Sequence, residues 1–377
     1  MFLVTGSNGS NFDGKNVLFT DQGLVEGAGQ FRPVTASVGV ASGSASVIRT
    51  IALTGEGASL QTQQFVSTAI VVTDPNGSLG DVTLSAPSGT PADITAPRIV
   101  GNIDVTNGSI SGTISTTSGD LGRAIADANG NIVGVTFIRA GAGGLTTTGK
   151  ILSAANLVSQ IQLQSSLDGV VAVQGDIGVI KTQPNGDAVV GTGPGSPLTR
   201  FGGINVSTGG VKGSIIALGN VFGDINVNGG LDGRIAVKGR TVAGLDPSRI
   251  GILGNVSIGG GVNSTAAIVS AGRIGDDGIT DATRIANDSV GTKLSISGAV
   301  KGIIAAVDDI NYGSIGNTSA ASLVENVGPG STDGQVIASI FTDGGVALTI
   351  PDGLSLILTD LGFLRVGADG HLTVSPP

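Results

Sequence analysis

Residues 211–239 read VKGSIIALGNVFGDINVNGGLDGRIAVKG. At every second position, from Val211 and Gly213 through Ile215, Ala217, Gly219, Val221, Gly223, Ile225, Val227, Gly229, Leu231, Gly233, Ile235 and Val237 to Gly239, the residue is apolar or glycine. Between them stand mainly polar side chains, among them Lys212, Ser214, Asn220, Asp224, Asn226, Asp232, Arg234 and Lys238. A period of two is the signature of β-structure with one face buried. Ordinary strands have about 3 to 10 residues, so this alternation has to turn corners without exchanging its inside and outside. The recurring glycines, 213, 223 and 233, then 219, 229 and 239, mark places for those corners. The stretch predicts a chain coiled around its own core.

The repeat can be written G-x-[IV]-x-[VA]-x-G-x-[VL]-x, with clear copies starting at Gly213, Gly223 and Gly233. Looser copies occupy Leu167–Ile177, Gly254–Val262 and Leu294–Ile304, and an early one runs from Val100 to Val105 and on through Ile110 to Ile114. Two repeats, about 20 residues, suit one coil of a parallel β-helix whose coils rise ~4.8 Å each. That register predicts Ile215 stacked on Ile235, Val211 on Leu231, and Lys212 beside Asp232. The rival is an antiparallel meander of short strands, which favours Asn-Gly or Asp-Gly at every reversal. Such pairs do not stand at every reversal of this stretch, and the expectation is an all-β, right-handed parallel β-helix with inserted loops and hairpins.

Composition narrows the classes further. Glycine makes up 65 of 377 residues, charged residues 12% and aromatic residues 3%, with no Trp and one Tyr. The abundant, periodic Val and Ile suit a pleated surface and argue against disorder. The formal net charge is −9, and the 19 basic residues are scattered singly. No basic stripe is available to release counterions from a nucleic acid, so nucleic acid is not an expected partner. No apolar run reaches the roughly 18 to 20 residues of a membrane-spanning helix. The start, Met1-Phe2-Leu3-Val4, is short for a signal peptide, which suggests a fragment of a larger exported protein. With no cysteine, disulfides, thiolate metal sites and cysteine nucleophiles are excluded.

The chain divides by pattern into three regions. Residues 1–95 carry strand-like runs with fewer regular glycines, as an irregular β region or a small amino-terminal β domain. Residues 96–340 hold the half-coil repeats. Residues 341–377 read as a meander capping the open end of the coil. Asp127-Ala-Asn-Gly-Asn131 reads as a hairpin around Asn129-Gly130, and Ile151 to Gln160 as a place for a short helix. Segments 184–197, 273–291 and 311–335 break the repeat and are read as projecting loops.

The chain offers little chemistry. The lone histidine, His371, sits in a carboxyl-terminal turn and excludes a histidine triad or a multi-histidine metal site. Carboxylate clusters are the remaining catalytic option: Asp276, Asp277, Asp281 and Asp288 beside Arg273 and Arg284, and Asp308 and Asp309 beside Lys301. Paired carboxylates can act as acid and base on a polysaccharide or ligate calcium. They serve equally well to solvate corners and loops, and the scarcity of aromatic stacking surface weighs against a sugar-cleaving groove. Asp127 opens a calcium-loop-like Asp-x-Asn-Gly run that lacks the downstream glutamate. No catalytic, cofactor-binding or metal-binding residue is therefore assigned, and no cofactor is expected.

The glycine-punctuated decapeptides resemble the β-solenoid stretches of large bacterial surface and secreted proteins, the adhesin-like and autotransporter-passenger-like class. The resemblance spans about residues 98 to 340 and rests on pattern. It implies a non-enzymatic structural or adhesive protein at the cell surface or outside the cell, a rigid stalk displaying its loops. A surface polysaccharide or another protein would be the partner. A β-helix polysaccharide lyase or glycoside hydrolase built on the paired aspartates is the alternative, and a filament subunit stacking end to end is another.

Overall fold

A computed structural model of the chain describes residues 75–84, 93–181, 198–243, 245, 249–270, 272–276, 291–306 and 310–316. Outside these it describes strands only, at 2–6, 16–18, 35–40, 47–53, 58–62, 65–72, 323–324, 342–343, 346–347, 363–366 and 372–375. Every regular element among the described residues is a β-strand. The chain separates into two compact units, Met1–Gln174 and Gly175–Pro377.

In the first unit successive strands are dealt alternately to two parallel ladders. The first ladder runs Phe2–Gly6, Thr35–Val40, Ala58–Thr62, Leu79–Leu84, Ile103–Val105, Ile132–Ala140 and Leu157–Leu163. The second runs Asn16–Leu18, Val47–Leu53, Phe65–Val72, Asp93–Ala96, Thr113–Thr116, Lys150–Ser153 and Val170–Val173. The strands of residues 1–95 thus pair in the same two ladders as those that follow them. The second unit repeats the scheme. Its first ladder is Gly203–Val206, Asp224–Val227, Val256–Ile258, Leu294–Ile296 and Tyr312–Ile315. Its second is Ser214–Ala217, Arg234–Val237, Ala267–Ser270, Ile303–Ala306 and Leu323–Val324.

Alternation along each short strand explains the core. In the second unit Ile204, Ile225, Val256 and Leu294 stack in one column, and Ile215, Ile235, Ile268 and Ile304 in another, all with no measurable exposure. Single bridges at the corners add Val211, Leu231, Val262 and Val300 as a third column. The predicted stacking of Ile215 on Ile235 and of Val211 on Leu231 is present. Burying an Ile or Leu side chain in this way contributes about 1.5 to 3 kcal/mol, but only when the next coil is there to cover it.

The glycine period comes from the corners. A Cβ added to Gly233 would lie 1.9 Å from the carbonyl oxygen of Gly213, beside the neighbouring ladder strand, so a side chain there would push the two segments apart. Gly203 meets the Asp224 oxygen at 2.1 Å and also holds φ at +118°, a conformation that glycine adopts without strain. The Asn228-Gly229 and Asp232-Gly233 pairs, a hairpin signal elsewhere, make corners here: Gly229 N–H bonds to the Gly209 carbonyl and Gly233 N–H to the Val211 carbonyl.

Three local expectations need correction. Residues 151–160 are not helical: Lys150–Ser153 and Leu157–Leu163 are ladder strands, because Ile151, Leu157, Ile161 and Leu163 follow the period of two into the core. The breaks at 273–291 and 311–335 begin later than their glycine spacing suggested, since Arg273–Ile274, Tyr312–Ile315 and Leu323–Val324 are still paired in parallel. Antiparallel pairing is confined, among the described residues, to local features. One is the hairpin expected around Asn129-Gly130, which pairs Ala124–Ala126 with Ile132–Ala140 across a bulge. Others are Val179–Ile180 with Arg200–Phe201, and the carboxyl-terminal pairs Thr342–Asp343 with Val346–Ala347 and Phe363–Val366 with Leu372–Ser375.

Candidate functional site: polar columns along the corners

Between successive ladder strands the chain turns peptide groups away from the ladders, and those groups need partners. The partners here are aspartates and asparagines standing just before an inward aliphatic residue. Asp81 Oδ1 accepts the backbone N–H of Asn102 at 2.7 Å and its side-chain amide at 3.1 Å. Asn102 in turn accepts the N–H of Phe137 at 3.0 Å, in the coil beyond. In the same unit Asp120 accepts both donors of Asn156 at 2.9 Å. In the second unit Asp224 accepts both donors of Asn255, at 2.9 and 3.3 Å, and Asn255 accepts the N–H of Lys293 at 3.0 Å. Asp232 likewise accepts the amide of Asn263. Lys212, expected beside Asp232, lies exposed in that register.

The densest of these columns lies in the second unit. Asn220 is completely buried. Its N–H bonds Asp176 at 2.7 Å, its amide donates to the Arg240 carbonyl at 2.7 Å, and its Oδ1 accepts the N–H of Gly251 at 2.8 Å. Arg240 closes the ring by donating Nε to Asp176 at 3.1 Å. Beside it, Arg200 donates to Asp224 and to the Leu253 carbonyl, both at 3.1 Å. A satellite apolar cluster of Ile180, Leu198, Phe222, Leu245 and Leu253, with Val242 against it, lies outside the aliphatic columns at the same corner.

Asp276, the described member of the carboxylate candidates, belongs to this scaffold. It is 4% exposed and sits between Arg249 and Arg273, 6% and 1% exposed. Arg249 Nε reaches both carboxylate oxygens, at 3.0 and 3.1 Å, while its terminal nitrogen also bonds Oδ2, and Arg273 lies 3.5 Å from Oδ1. Asp276 and Thr292 exchange backbone hydrogen bonds. Thr292 caps the Leu253 carbonyl at 2.9 Å and receives Asn311 at its own carbonyl, also at 2.9 Å. A carboxylate so buried between two guanidinium groups has little surface to present to a sugar. Asp277, Asp281, Asp288, Arg284, Asp308, Asp309, His371 and the loop 184–197 lie outside the described residues, whereas Lys301 is exposed.

Elsewhere the polar groups are also engaged locally. Asp127 accepts the N–H groups of Asn129 and Asn131 at 2.9 and 2.8 Å, so its carboxylate organises the hairpin tip. Arg139 donates Nε to Asp104 at 3.0 Å on the outside of the first ladder. That bond and the charge of Asp104 raise the Arg139 pKa above its usual value, so the arginine stays charged throughout the neutral range. Among the described residues no three His, Asp or Glu side chains gather as a metal site. No helix among them is long and apolar enough to cross a membrane.

Sequence reasoning missed the Asp-to-Asn columns and Arg249. A signal for the columns existed: Asp or Asn directly before Ile, Leu or Val recurs at Asp81, Asn102, Asp120, Asn156, Asp176, Asn220, Asp224 and Asn255. Comparison with known protein families, with curated proteins and with solved structures found no match.

Proposed function

We propose that the chain is a right-handed β-solenoid acting as a non-enzymatic structural or adhesive protein of the bacterial exterior. The solenoid reading is supported by the alternation of successive strands between two parallel ladders, with corner bridges between them; the right hand follows the general rule for parallel crossovers. The observation that carries the scaffold role is the commitment of the corner groups. Asp176, Asp224, Asp276 and their asparagine and arginine partners bond from coil to coil, which leaves rigidity rather than chemistry as their product. The placement outside the cell rests on the resemblance to exported solenoid proteins, and a surface polysaccharide or protein is the partner it suggests.

Antibodies raised against the purified chain and applied to intact source cells, to their lysate and to their culture medium test this reading. Signal on intact cells or in the medium is the expected result, and signal confined to the lysate overturns the placement. Incubation with uronic-acid polysaccharides should produce no new reducing ends or unsaturated sugars. Sustained turnover there would replace the scaffold with the lyase or hydrolase alternative.

A further inference from the structure

The exposed large apolar side chains among the described residues, Ile125 at 43% and Val133 at 58%, lie on one hairpin, the one that pairs Ala124–Ala126 with Ile132–Ala140. Ile125 stands opposite Gly134, which offers it no side chain, and a Cβ added to Gly134 would meet no atom within 4 Å. The hairpin thus holds an isoleucine in water beside open space. Among the described strands Ala124–Ala126 pairs with Ile132–Ala140 alone, so its far side is a sheet edge. Residues of an antiparallel strand turn their backbone groups alternately to one neighbour and to the other. The Arg123 carbonyl accepts the Thr136 N–H, and the Asp127 N–H donates to the Asn131 carbonyl. Arg123, Ile125 and Asp127 accordingly face the hairpin partner, while Ala124 and Ala126 present their N–H and C=O groups at the edge. An edge of this kind is a template for a further strand.

The edge reads Arg123-Ala124-Ile125-Ala126-Asp127, and all of it is exposed except the half-buried Ala124. About Ile125 the sequence is symmetric in side-chain size and opposite in charge. We propose that this edge pairs with the same edge of a second copy of the chain, antiparallel about a two-fold axis at Ile125. The axis sets Arg123 of each copy opposite Asp127 of the other, and Ala124 opposite Ala126. Charge complementarity is what selects a second copy, since a parallel pairing or a slip of one residue separates both ion pairs. The alanines exchange backbone hydrogen bonds, and Ile125 then falls in the alternate, non-hydrogen-bonded pair, where Cα atoms are about 4.5 Å apart and side chains are closest. Each Ile125 gains from the other the apolar neighbour that Gly134 does not supply. Asp127 keeps the N–H groups of Asn129 and Asn131 on Oδ1, and a carboxylate has further lone pairs for a guanidinium. Two hairpins, each marginal by itself in water, become one four-stranded sheet. The contact is isologous and closed, so it stops at a dimer, unlike end-to-end stacking of coils.

Sedimentation equilibrium of the full chain should show the mean mass rising from monomer toward dimer, and no further, between about 1 µM and about 1 mM, the range in which so small an interface associates. Arg123→Asp sets like charges opposite each other at both ends of the pairing and should weaken association at least about tenfold. Mixing that chain with an Asp127→Arg chain, which is equally unable to pair with itself, should restore dimers, because an acidic edge then meets a basic one. The chain has no cysteine, so single thiols can mark the axis. Oxidised at equal concentration, Ile125→Cys should form disulfide-linked dimers at least about tenfold faster than Val133→Cys, whose strands the pairing holds three spacings, about 14 Å, apart and beyond the reach of a disulfide. A mass that stays monomeric, an oligomer larger than a dimer, a dimer indifferent to Arg123→Asp, or equal trapping of the two thiols overturns the proposal. The thiol comparison decides the matter even if Asp127→Arg loosens the hairpin tip.

Discussion

Asn220 shows what a single residue does in this architecture. It has no exposed surface, and its amide, its Oδ1 and its N–H each reach a different segment: Arg240, Gly251 and Asp176. Replacing it by alanine strands the Gly251 N–H and the Arg240 carbonyl, and a buried polar group left unmade costs about 1 to 3 kcal/mol. Asn220→Ala should therefore lower the unfolding free energy by about 2 to 4 kcal/mol, read from urea denaturation midpoints. Asn263 makes the analogous bond to Asp232 on an exposed corner, where water can take its place. Asn263→Ala should cost no more than about 1 kcal/mol, the ordinary net value of a hydrogen bond. Equal losses from the two substitutions would show that burial is not what gives the Asn220 column its weight.

At the scale of elements, the polar columns tie one stretch of the ladders to another. Asp276 and Thr292, on either side of residues 277–290, are joined by paired backbone bonds, and Arg249 ties its own segment to Asp276. Breaking a buried ion pair by removing one partner costs about 3 to 5 kcal/mol, because the remaining charge is left without compensation. Asp276→Asn removes the carboxylate charge that stands between Arg249 and Arg273. A loss of stability in that range is expected by chemical denaturation, whereas a catalytic acid would sacrifice turnover and leave stability unchanged. The ladders were legible in the sequence because alternation and glycine spacing survive at Ile215 and Ile235 or at Val211 and Leu231. The columns were not, since insertions of unequal length separate Asp120 from Asn156 and Asp176 from Asn220 and erase a constant period. The pairing of Asp276 with Arg249 is hidden for the same reason. Strands such as Arg273–Ile274 and Tyr312–Ile315 were read as loop because they are short and partly polar. The apparent helix at 151–160 arose from good helix formers placed on a period of two, and tertiary stacking overrides such a propensity.

At the scale of the molecule, no ladder strand is stable alone, because its partners belong to segments before and after it in the chain. Stability in such a stack is close to a sum of nearest-neighbour terms, so damage should spread along the chain only as far as the coupling between coils carries it. Ile225 is the place to test this: it has no exposed surface and lies between Ile204 and Val256 in the inward column. A carboxylate there has neither water nor a partner, a cost of several kcal/mol against a total that for most domains is only about 5 to 15 kcal/mol. Hydrogen exchange followed by mass spectrometry should show Ile225→Asp losing protection across residues 203–258 while peptides spanning 93–173 stay protected. Asn226→Asp, one residue away on the exposed outside, should exchange like the parent throughout. If both substitutions behave alike, the inside and outside of the ladder have been assigned wrongly. If Ile225→Asp instead removes protection everywhere at once, the inward columns fold as one cooperative unit, and the nearest-neighbour account of this chain fails.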